Sequence, residues 1–292
     1  MSIRTILVPL DGSDDSKAAM ETAFAVGRNF DSHVDVLHVR PDARAAVPLL
    51  GEGMSGAMIE EMITLAEQEG NERSNKAHGI FDEFCRSFSV PVFNRELQEP
   101  GPADSVTARW LEVTGREDEE VSRTARLADL VVVGRASDQS EFSSDSVLNA
   151  ALFESGRPVL LAPPKGADNF GKTIAVAWNG SAESARAVSG ALPFLKNAEK
   201  VFALTAETEN TEPTVSTDLA DFCAWHGIKA EAVSFSPAGH SVGEAVLMEC
   251  EKLGADMLVM GAYTHSRMRQ LILGGLTDHV LHNAKIPVLM AH

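Results

Sequence analysis

Apolar runs and longer amphipathic stretches alternate along the whole chain. In the second half, the apolar runs predict strands over 173–178, 200–205, 229–235, 256–261 and 286–291, and the stretches between them predict helices over about 182–195, 214–227, 240–254 and 275–284. In the first of these helices, Ala185, Val188 and Leu192 recur at helical spacing on one face. Other runs, such as 130–133, are apolar at every position, which is typical of a strand that is covered on both faces. The pattern predicts parallel strands joined by helices.

The chain repeats this pattern twice. Residues 5–13 read TILVPLDGS and residues 173–181 read TIAVAWNGS, so each half opens on an apolar run, an Asp or Asn, and Gly-Ser. The closing segments also match: 128–134 with 255–261, and 157–162 with 286–291. A duplication means that one fold accounts for both halves. Five strands per half, joined by helical crossovers, predict two tandem doubly wound α/β domains, each with a five-stranded parallel sheet.

Proline and glycine mark the boundary between the two predicted domains. Residues 163–169 read PPKGADN, directly after the last strand of the first half. Paired prolines and a glycine end a strand and begin a linker. The predicted domains are therefore 1–164 and 172–292. The first is longer, and its additional residues predict a loop followed by a long helix over roughly 57–87.

The charge balance excludes some classes of partner. The net charge is −17 over 292 residues, so nucleic acid and anionic membrane surfaces would be repelled from most of the protein. No apolar stretch is long enough to cross a bilayer, and no leader sequence precedes the first strand, so we expect a cytoplasmic protein. Cys85, Cys223 and Cys250 are widely spaced and form no metal-ligand pattern, so we expect reduced thiols and no metal site in the protein fold.

The turn after the first strand of each half is the first candidate site. In open sheets of this type, ligands bind beyond the carboxyl ends of the strands, at the point where the strand order reverses. Ser13 and Ser181 stand where a helix N-cap belongs. Two interpretations remain open on sequence: the turn only caps the following helix, or Asp11 and Asn179 bind a ligand at the strand end.

The segment after the fourth strand of the second half is the stronger candidate. Residues 261–277 read GAYTHSRMRQLILGGLT, with a glycine at the strand exit, two arginines and no acid. Gly274 and Gly275 open the next helix, whose free N–H groups are suited to phosphate. The equivalent segment 134–150 has one arginine and three acids, so the formal charges are +2 and −2. These charges predict that a polyphosphate would prefer the second half.

These residues resemble the universal stress protein family. The resemblance is carried by the opening ILVPLDGS at 6–13, by MGAYTHSR at 260–267 and by the closing PVL at 287–289, and it covers nearly the whole chain in two copies. It implies cytoplasmic α/β domains of five parallel strands, which often dimerise through the last strand. In a tandem chain, it implies that the two halves pair with each other and leaves a homodimer of whole chains open.

The resemblance also implies ATP binding, because many members bind ATP through a pattern of glycine, two residues, glycine, nine residues, glycine, and serine or threonine. The chain matches this pattern at Gly261 and Gly274, and departs from it at Thr264 and Gly275. Thr277 would supply the hydroxyl two residues later. Asn179 stands where members usually carry an aspartate that meets the ribose or adenine. The first half keeps only the first of these glycines, so it resembles a copy that does not bind.

We therefore expect a universal stress protein with a regulatory or sensory role, whose second domain binds an adenine nucleotide, ATP with Mg²⁺. The predicted binding residues are Asn179, Gly180, Thr205, Gly261, Thr264, His265, Arg267, Gly274, Gly275, Leu276 and Thr277. One alternative is an interaction module that binds no nucleotide. Another is a slow ATPase, but the sequence offers no evident general base and no lysine-bearing phosphate loop, so no catalytic residue is predicted.

Overall fold

The computed structural model describes residues 2–43, 55–95, 97–102, 104–135, 144–207, 215–263 and 275–292. Four predicted binding residues, Thr264, His265, Arg267 and Gly274, lie outside these ranges. In the described part of the chain, no helix combines the length and the apolar character that crossing a membrane requires.

Each half is built from alternating strands and helices. The first half contains β1 (Thr5–Pro9), α1 (Asp14–Phe30), β2 (His33–Arg40), α2 (Gly56–Ser87), β3 (Thr107–Thr114), α3 (Glu117–Ala125), β4 (Leu130–Val133), α4 (Ser144–Glu154) and β5 (Val159–Leu161). The second contains β6 (Thr173–Ala177), α5 (Ala182–Asn197), β7 (Lys200–Ala206), α6 (Val215–Trp225), β8 (Ala230–Phe235), α7 (Val242–Leu253), β9 (Met257–Gly261), α8 (Leu276–Asn283) and β10 (Val288–Ala291). The elements predicted for the second half, and the long helix α2, are confirmed to within about two residues at each end.

The strands form one ten-stranded sheet in the order β3-β2-β1-β4-β5-β10-β9-β6-β7-β8. Neighbours within each half are parallel, which confirms the predicted doubly wound α/β fold with a five-stranded parallel sheet in each half. The two half-sheets meet at β5 and β10, which are antiparallel, with Leu160 opposite Leu289. The strand order reverses between β1 and β4 and again between β6 and β9, so these two crevices are where this fold places ligands.

The sheet separates two layers of hydrophobic core. Along β4, Leu130 and Val132 belong to the core on one side of the sheet, and Val131 and Val133 to the core on the other. All four side chains are buried. Helices cover both faces, which explains why the strand has no polar position. The strands are thus held by packing on both faces. The turns at the carboxyl edge of the sheet are the places where the two halves differ.

Candidate functional site

The turn that follows β6 is a helix cap and is also open to solvent. Gly180 has φ 73°, a conformation that favours glycine. The Ser181 backbone N–H donates to Asn179 Oδ1 at 3.1 Å, and Ser181 Oγ accepts from the Ser184 backbone N–H at 3.2 Å. The capping interpretation is thus confirmed for Ser181. Asn179 and Gly180 are nevertheless exposed, so the Asn179 amide group lies at the surface.

The turn that follows β1 has the same shape but carries a charge. Asp11 Oδ1 accepts from the Ser13 backbone N–H at 2.9 Å and from Ser13 Oγ at 2.6 Å, and Ser13 caps α1 at the Ser16 N–H. Burial alone would raise the pKa of Asp11, but hydrogen bonds from Ser13 and Ser16 and the positive charge of Arg73 lower it below its ordinary value. Asp11 is therefore a carboxylate near neutral pH.

Helix α2 closes the first of these turns. A Cβ atom added to Gly12 would lie 3.5 Å from the backbone nitrogen of Ala77 and 3.6 Å from Cδ of Lys76, both on α2. A Cβ atom added to Gly180 would meet none of the described residues within 4 Å. Gly12 is accordingly buried and Gly180 is exposed. Of the two equivalent turns, the one in the second half is the more accessible to a ligand.

His38 and Thr205 occupy equivalent positions beside these turns. His38 Nδ1 bonds the Leu10 carbonyl oxygen at 2.8 Å, and Thr205 Oγ1 donates to the Trp178 carbonyl oxygen at 3.2 Å. Both side chains are buried, at 1% and 3% exposure. Thr205 therefore lies next to the Asn179 turn, as predicted, but its hydroxyl is already used to join the ends of β6 and β7.

Strand register shows how the chemistry of the two crevices differs. His38 is opposite Glu112, and Thr205 is opposite Ser234. The first residues of α3 and α7 are Glu117 and Val242. Four ionisable residues of the first half are thus matched by neutral residues in the second. The four matched positions are Asp11 with Asn179, His38 with Thr205, Glu112 with Ser234 and Glu117 with Val242. This exchange was missed in the sequence analysis, although aligning the halves strand by strand reveals it.

The carboxyl groups of the first crevice differ in their surroundings: Asp11 and Glu117 are partly buried, whereas Glu112 is exposed and lies 3.4 Å from Arg40. Burial raises the pKa of Glu117 to about 7, and the negative charge of Asp11 adds to this effect. Burial also acts to raise the pKa of Glu112, but hydrogen bonds from Ser74, at 3.0 Å, and from Trp110 lower it overall. Carboxylates near the turn repel phosphate at short range. The first crevice thus carries carboxyl groups at positions where the second has neutral residues, and the predicted preference of a polyphosphate for the second half stays a prediction.

The exit of β9 is fixed by internal contacts. A Cβ atom at Gly261 would lie 2.5 Å from the Ser184 backbone nitrogen, so glycine is required there for packing against α5. The Tyr263 N–H donates to Thr277 Oγ1 at 3.2 Å, and Thr277 is only 5% exposed. The Thr277 hydroxyl, which we expected at the phosphates, thus accepts a bond that ties the strand exit to α8.

Helix α8 begins at a glycine N-cap and carries Asp278 in its first turn. Gly275 is the N-cap, with extended backbone (φ −68°, ψ 162°), and it provides no side-chain hydrogen bond to the first turn. Leu276 is the first helical residue. Because β6 and β9 are neighbours, with Ala177 opposite Met260, this helix start and the Asn179 turn lie at the same edge of the sheet. Among the described residues, no group of three His, Cys, Asp or Glu side chains could hold a metal ion.

Comparison with known proteins identifies the family. The model of the universal stress protein family matches the chain twice, over residues 2–163 and 171–292. The chain belongs to the universal stress protein family. A curated universal stress protein of Synechocystis sp. is 24% identical to it over 306 residues, covering 98% of this chain and 99% of the relative. This universal stress protein and its relative therefore match over nearly their whole lengths.

Solved structures share the fold of this universal stress protein over its whole length. A universal stress protein from Archaeoglobus fulgidus DSM 4304 matches with a TM-score of 0.66 and 17% identity, over 99% of this chain and 96% of the other. A putative universal stress protein from Pseudomonas aeruginosa UCBPP-PA14 matches with a TM-score of 0.55 and 17% identity, over 98% and 92%. At these identities the likeness extends to the fold alone.

Proposed function

We propose that the second half of this protein binds an adenine nucleotide, ATP with Mg²⁺, and that binding serves a regulatory or sensory role in the stress response. The observation that carries the proposal is the difference between the two crevices. In the second half, neutral residues replace Asp11, His38, Glu112 and Glu117, and the Asn179–Gly180 turn is open. A polyphosphate meets less negative charge and less steric cover there.

The proposed roles of the described residues follow from their position at the edge of the sheet, and those of Thr264, His265, Arg267 and Gly274 follow from the family pattern. The backbone N–H groups of Gly274, Gly275 and Leu276 would receive phosphate oxygens at the start of α8, where no side chain of the N-cap competes. Arg267 would neutralise phosphate charge, and Thr264 and His265 would supply further donors. Asn179, Gly180 and the backbone near Thr205 would contact the nucleoside, and Gly261 would let the strand exit lie close to α5.

The two threonines differ in how their hydroxyls are used. Thr205 Oγ1 donates its proton to the Trp178 carbonyl oxygen, so we assign it to holding the ends of β6 and β7 together. Thr277 Oγ1 accepts from the Tyr263 N–H, which leaves its own O–H able to donate to a phosphate oxygen. A Mg²⁺ ion would then be held by phosphate oxygens and water rather than by a dedicated set of protein carboxylates, in keeping with how this ion binds nucleotides.

The test is calorimetric titration of ATP with Mg²⁺ into the wild type and Gly275→Val. Any residue adopts the extended backbone of Gly275, but a β-branched side chain there crowds a phosphate at the start of α8. Gly79→Val is the control, because Gly79 is exposed on α2 with nothing within 4 Å of its added Cβ. We expect Gly275→Val to weaken ATP binding at least tenfold and Gly79→Val to leave it unchanged. Equal affinities in all three proteins would overturn the site.

A second candidate is an interaction module that binds no nucleotide. It is favoured by Thr264 and Gly275, which depart from the family pattern. Mass spectrometry of the denatured, purified protein distinguishes the two candidates. Nucleotide released in stoichiometric amount supports the first candidate. Its absence, together with no heat of ATP binding at millimolar concentration, supports the second.

Pairing of the halves limits how whole chains can associate. Strands β5 and β10 pair with each other, so neither edge is available for the dimer that single-domain members form through the last strand. Any homodimer of this chain would have to use another surface, and sedimentation of the intact protein over a range of concentrations measures whether one forms.

A further inference from the structure

A side chain of the first half contacts the candidate site of the second. Phe153 lies on α4, and its ring centroid is 5.2 Å from that of Tyr263, which follows β9. The same Phe153 ring meets the His292 ring edge-on at 4.5 Å. Because β5 and β10 join the two half-sheets, α4 is brought beside the exit of β9.

Tyr263 is held in an unfavourable backbone conformation. Its φ is 56°, in the left-handed region, which a bulky side chain rarely adopts. Such a conformation persists only where the surroundings determine it. Its N–H is bonded to Thr277 Oγ1, and the neighbouring Ala262 is fixed by its N–H to the Ala291 carbonyl and by its own carbonyl to His292 Nδ1 at 3.1 Å. The ring contact with Phe153 adds a constraint from the other half of the chain.

We propose that Phe153 is a positioning residue for the exit of β9 in the second half. By packing against Tyr263 and His292, it keeps Tyr263 in the conformation in which its N–H bonds Thr277 at the start of α8. The contact itself stands on the geometry, whereas its effect on nucleotide affinity rests on the proposed function. The first half would then contribute a side chain to the site of the second half, although α2 covers the equivalent turn in the first half.

The expected loss of ATP affinity in a Phe153 variant depends on the fraction of molecules that are competent to bind. If the exit of β9 leaves its left-handed conformation for part of the time, the apparent affinity for a ligand falls by the fraction of molecules that remain competent. An aromatic pair contributes enough beyond its buried area to change the equilibrium constant between the two exit conformations by about threefold to tenfold. We therefore expect Phe153→Ala to weaken ATP binding measurably, by about tenfold at most.

The experiment combines binding with hydrogen exchange. Phe153→Ala and the wild type are compared for ATP affinity and for amide exchange in the peptide that spans Ala262 and Tyr263. Phe222→Ala is the matched control, because Phe222 is a half-exposed aromatic residue on α6, next to the outer strand β8, and its ring is tilted against that of His226 at 4.6 Å. We expect faster exchange at 262–263 and weaker ATP binding in Phe153→Ala, and neither change in Phe222→Ala.

A double-mutant cycle separates positioning from general loss of stability. Glycine adopts the left-handed conformation freely, so in a Tyr263→Gly background Phe153→Ala should alter affinity less than twofold. An equal effect in both backgrounds would overturn the inference. Phe153→Leu, which keeps apolar volume without the ring, serves the same comparisons if the alanine variant does not fold.

Different outcomes contradict the positioning role of Phe153 and the proposed binding of ATP. Unchanged exchange at 262–263 in both Phe153 variants would overturn the positioning role, whatever the ATP affinity. Faster exchange in a protein whose wild type binds no ATP would support the positioning role and overturn the proposed function instead.

Discussion

Gly12 packs against the backbone of Ala77: a Cβ atom at Gly12 would lie 3.5 Å from the Ala77 nitrogen. Its counterpart Gly180 has the same left-handed backbone, with φ 73° against 88°, but in the described part of the chain no atom lies within 4 Å of an added Cβ. The cause is the length of the helix that follows the second strand of each half, 32 residues for α2 and 11 for α6. The two equivalent turns, one in each half, thus differ in how accessible they are to a ligand.

The first prediction concerns large side chains at these two glycines. Gly180→Leu should cost about 1–2 kcal/mol of unfolding free energy, because a residue with a Cβ atom is strained at positive φ. Gly12→Leu carries the same strain and must also displace α2, so we expect a further loss of about 1–3 kcal/mol. Urea denaturation measures both.

The matched controls are Gly12→Ala and Gly180→Ala. A single Cβ atom fits at both positions, so their losses should be similar, at about 1–2 kcal/mol. If the two leucine variants lost equal stability, the covering of the first turn by α2 would be refuted.

Features that depend on neighbouring residues could be predicted from the sequence, whereas features that depend on contacts between distant residues could not. The capping roles of Ser13 and Ser181 and the bounds of the strands follow from neighbours a few positions away, and both are confirmed. The packing of α2 on Gly12 and the contact of Phe153 with Tyr263 depend on residues far apart in the chain, which neither periodicity nor turn chemistry specifies. They follow from how the sheet orders its strands.

The second prediction uses Trp178 as a reporter of the site. Trp178 is partly buried, directly precedes Asn179, and accepts a hydrogen bond from Thr205 at 3.2 Å. Phe replacements at Trp110 and Trp225 leave it as the single tryptophan. We expect ATP to change its fluorescence with the same dissociation constant that calorimetry gives, and Gly275→Val to shift that titration to higher ATP. Heat of binding without a change in emission would place the ligand elsewhere.

The third prediction compares helix caps. Ser181 and Ser241 each accept one backbone N–H at the start of a helix, so alanine at either should cost about 1 kcal/mol. Ser13 does the same and also donates to Asp11 Oδ1 at 2.6 Å. Removing a bond to a buried carboxylate costs more, so Ser13→Ala should lose about 2–3 kcal/mol. The urea midpoints of the three variants measure these losses of stability. A loss in Ser13→Ala no greater than the loss in Ser241→Ala would contradict the prediction.

The fourth prediction concerns the pH dependence of stability, which Glu117 should influence. Burial first, and then the negative charge of Asp11, raise the pKa of Glu117 from an ordinary 4.5 to about 7, against the opposing charge of Arg73. The folded state therefore keeps a proton that the unfolded chain releases. The stability from this site is fully present below about pH 4.5 and is lost as the pH rises toward about 7. We expect a loss of roughly 1–3 kcal/mol across this window.

Glu117→Gln is the decisive variant, because a neutral amide cannot titrate. Its unfolding free energy should fall less than that of the wild type between pH 5 and pH 8, when both are measured by urea denaturation. Glu119→Gln is the control: Glu119 is exposed on the same helix turn and should leave the pH dependence of the wild type intact. Asp11→Asn should reduce the wild-type loss, since it removes the carboxylate that helps to raise the pKa of Glu117. If the unfolding free energies of Glu117→Gln and the wild type changed with pH in parallel, the raised pKa of Glu117 in the folded protein would be contradicted.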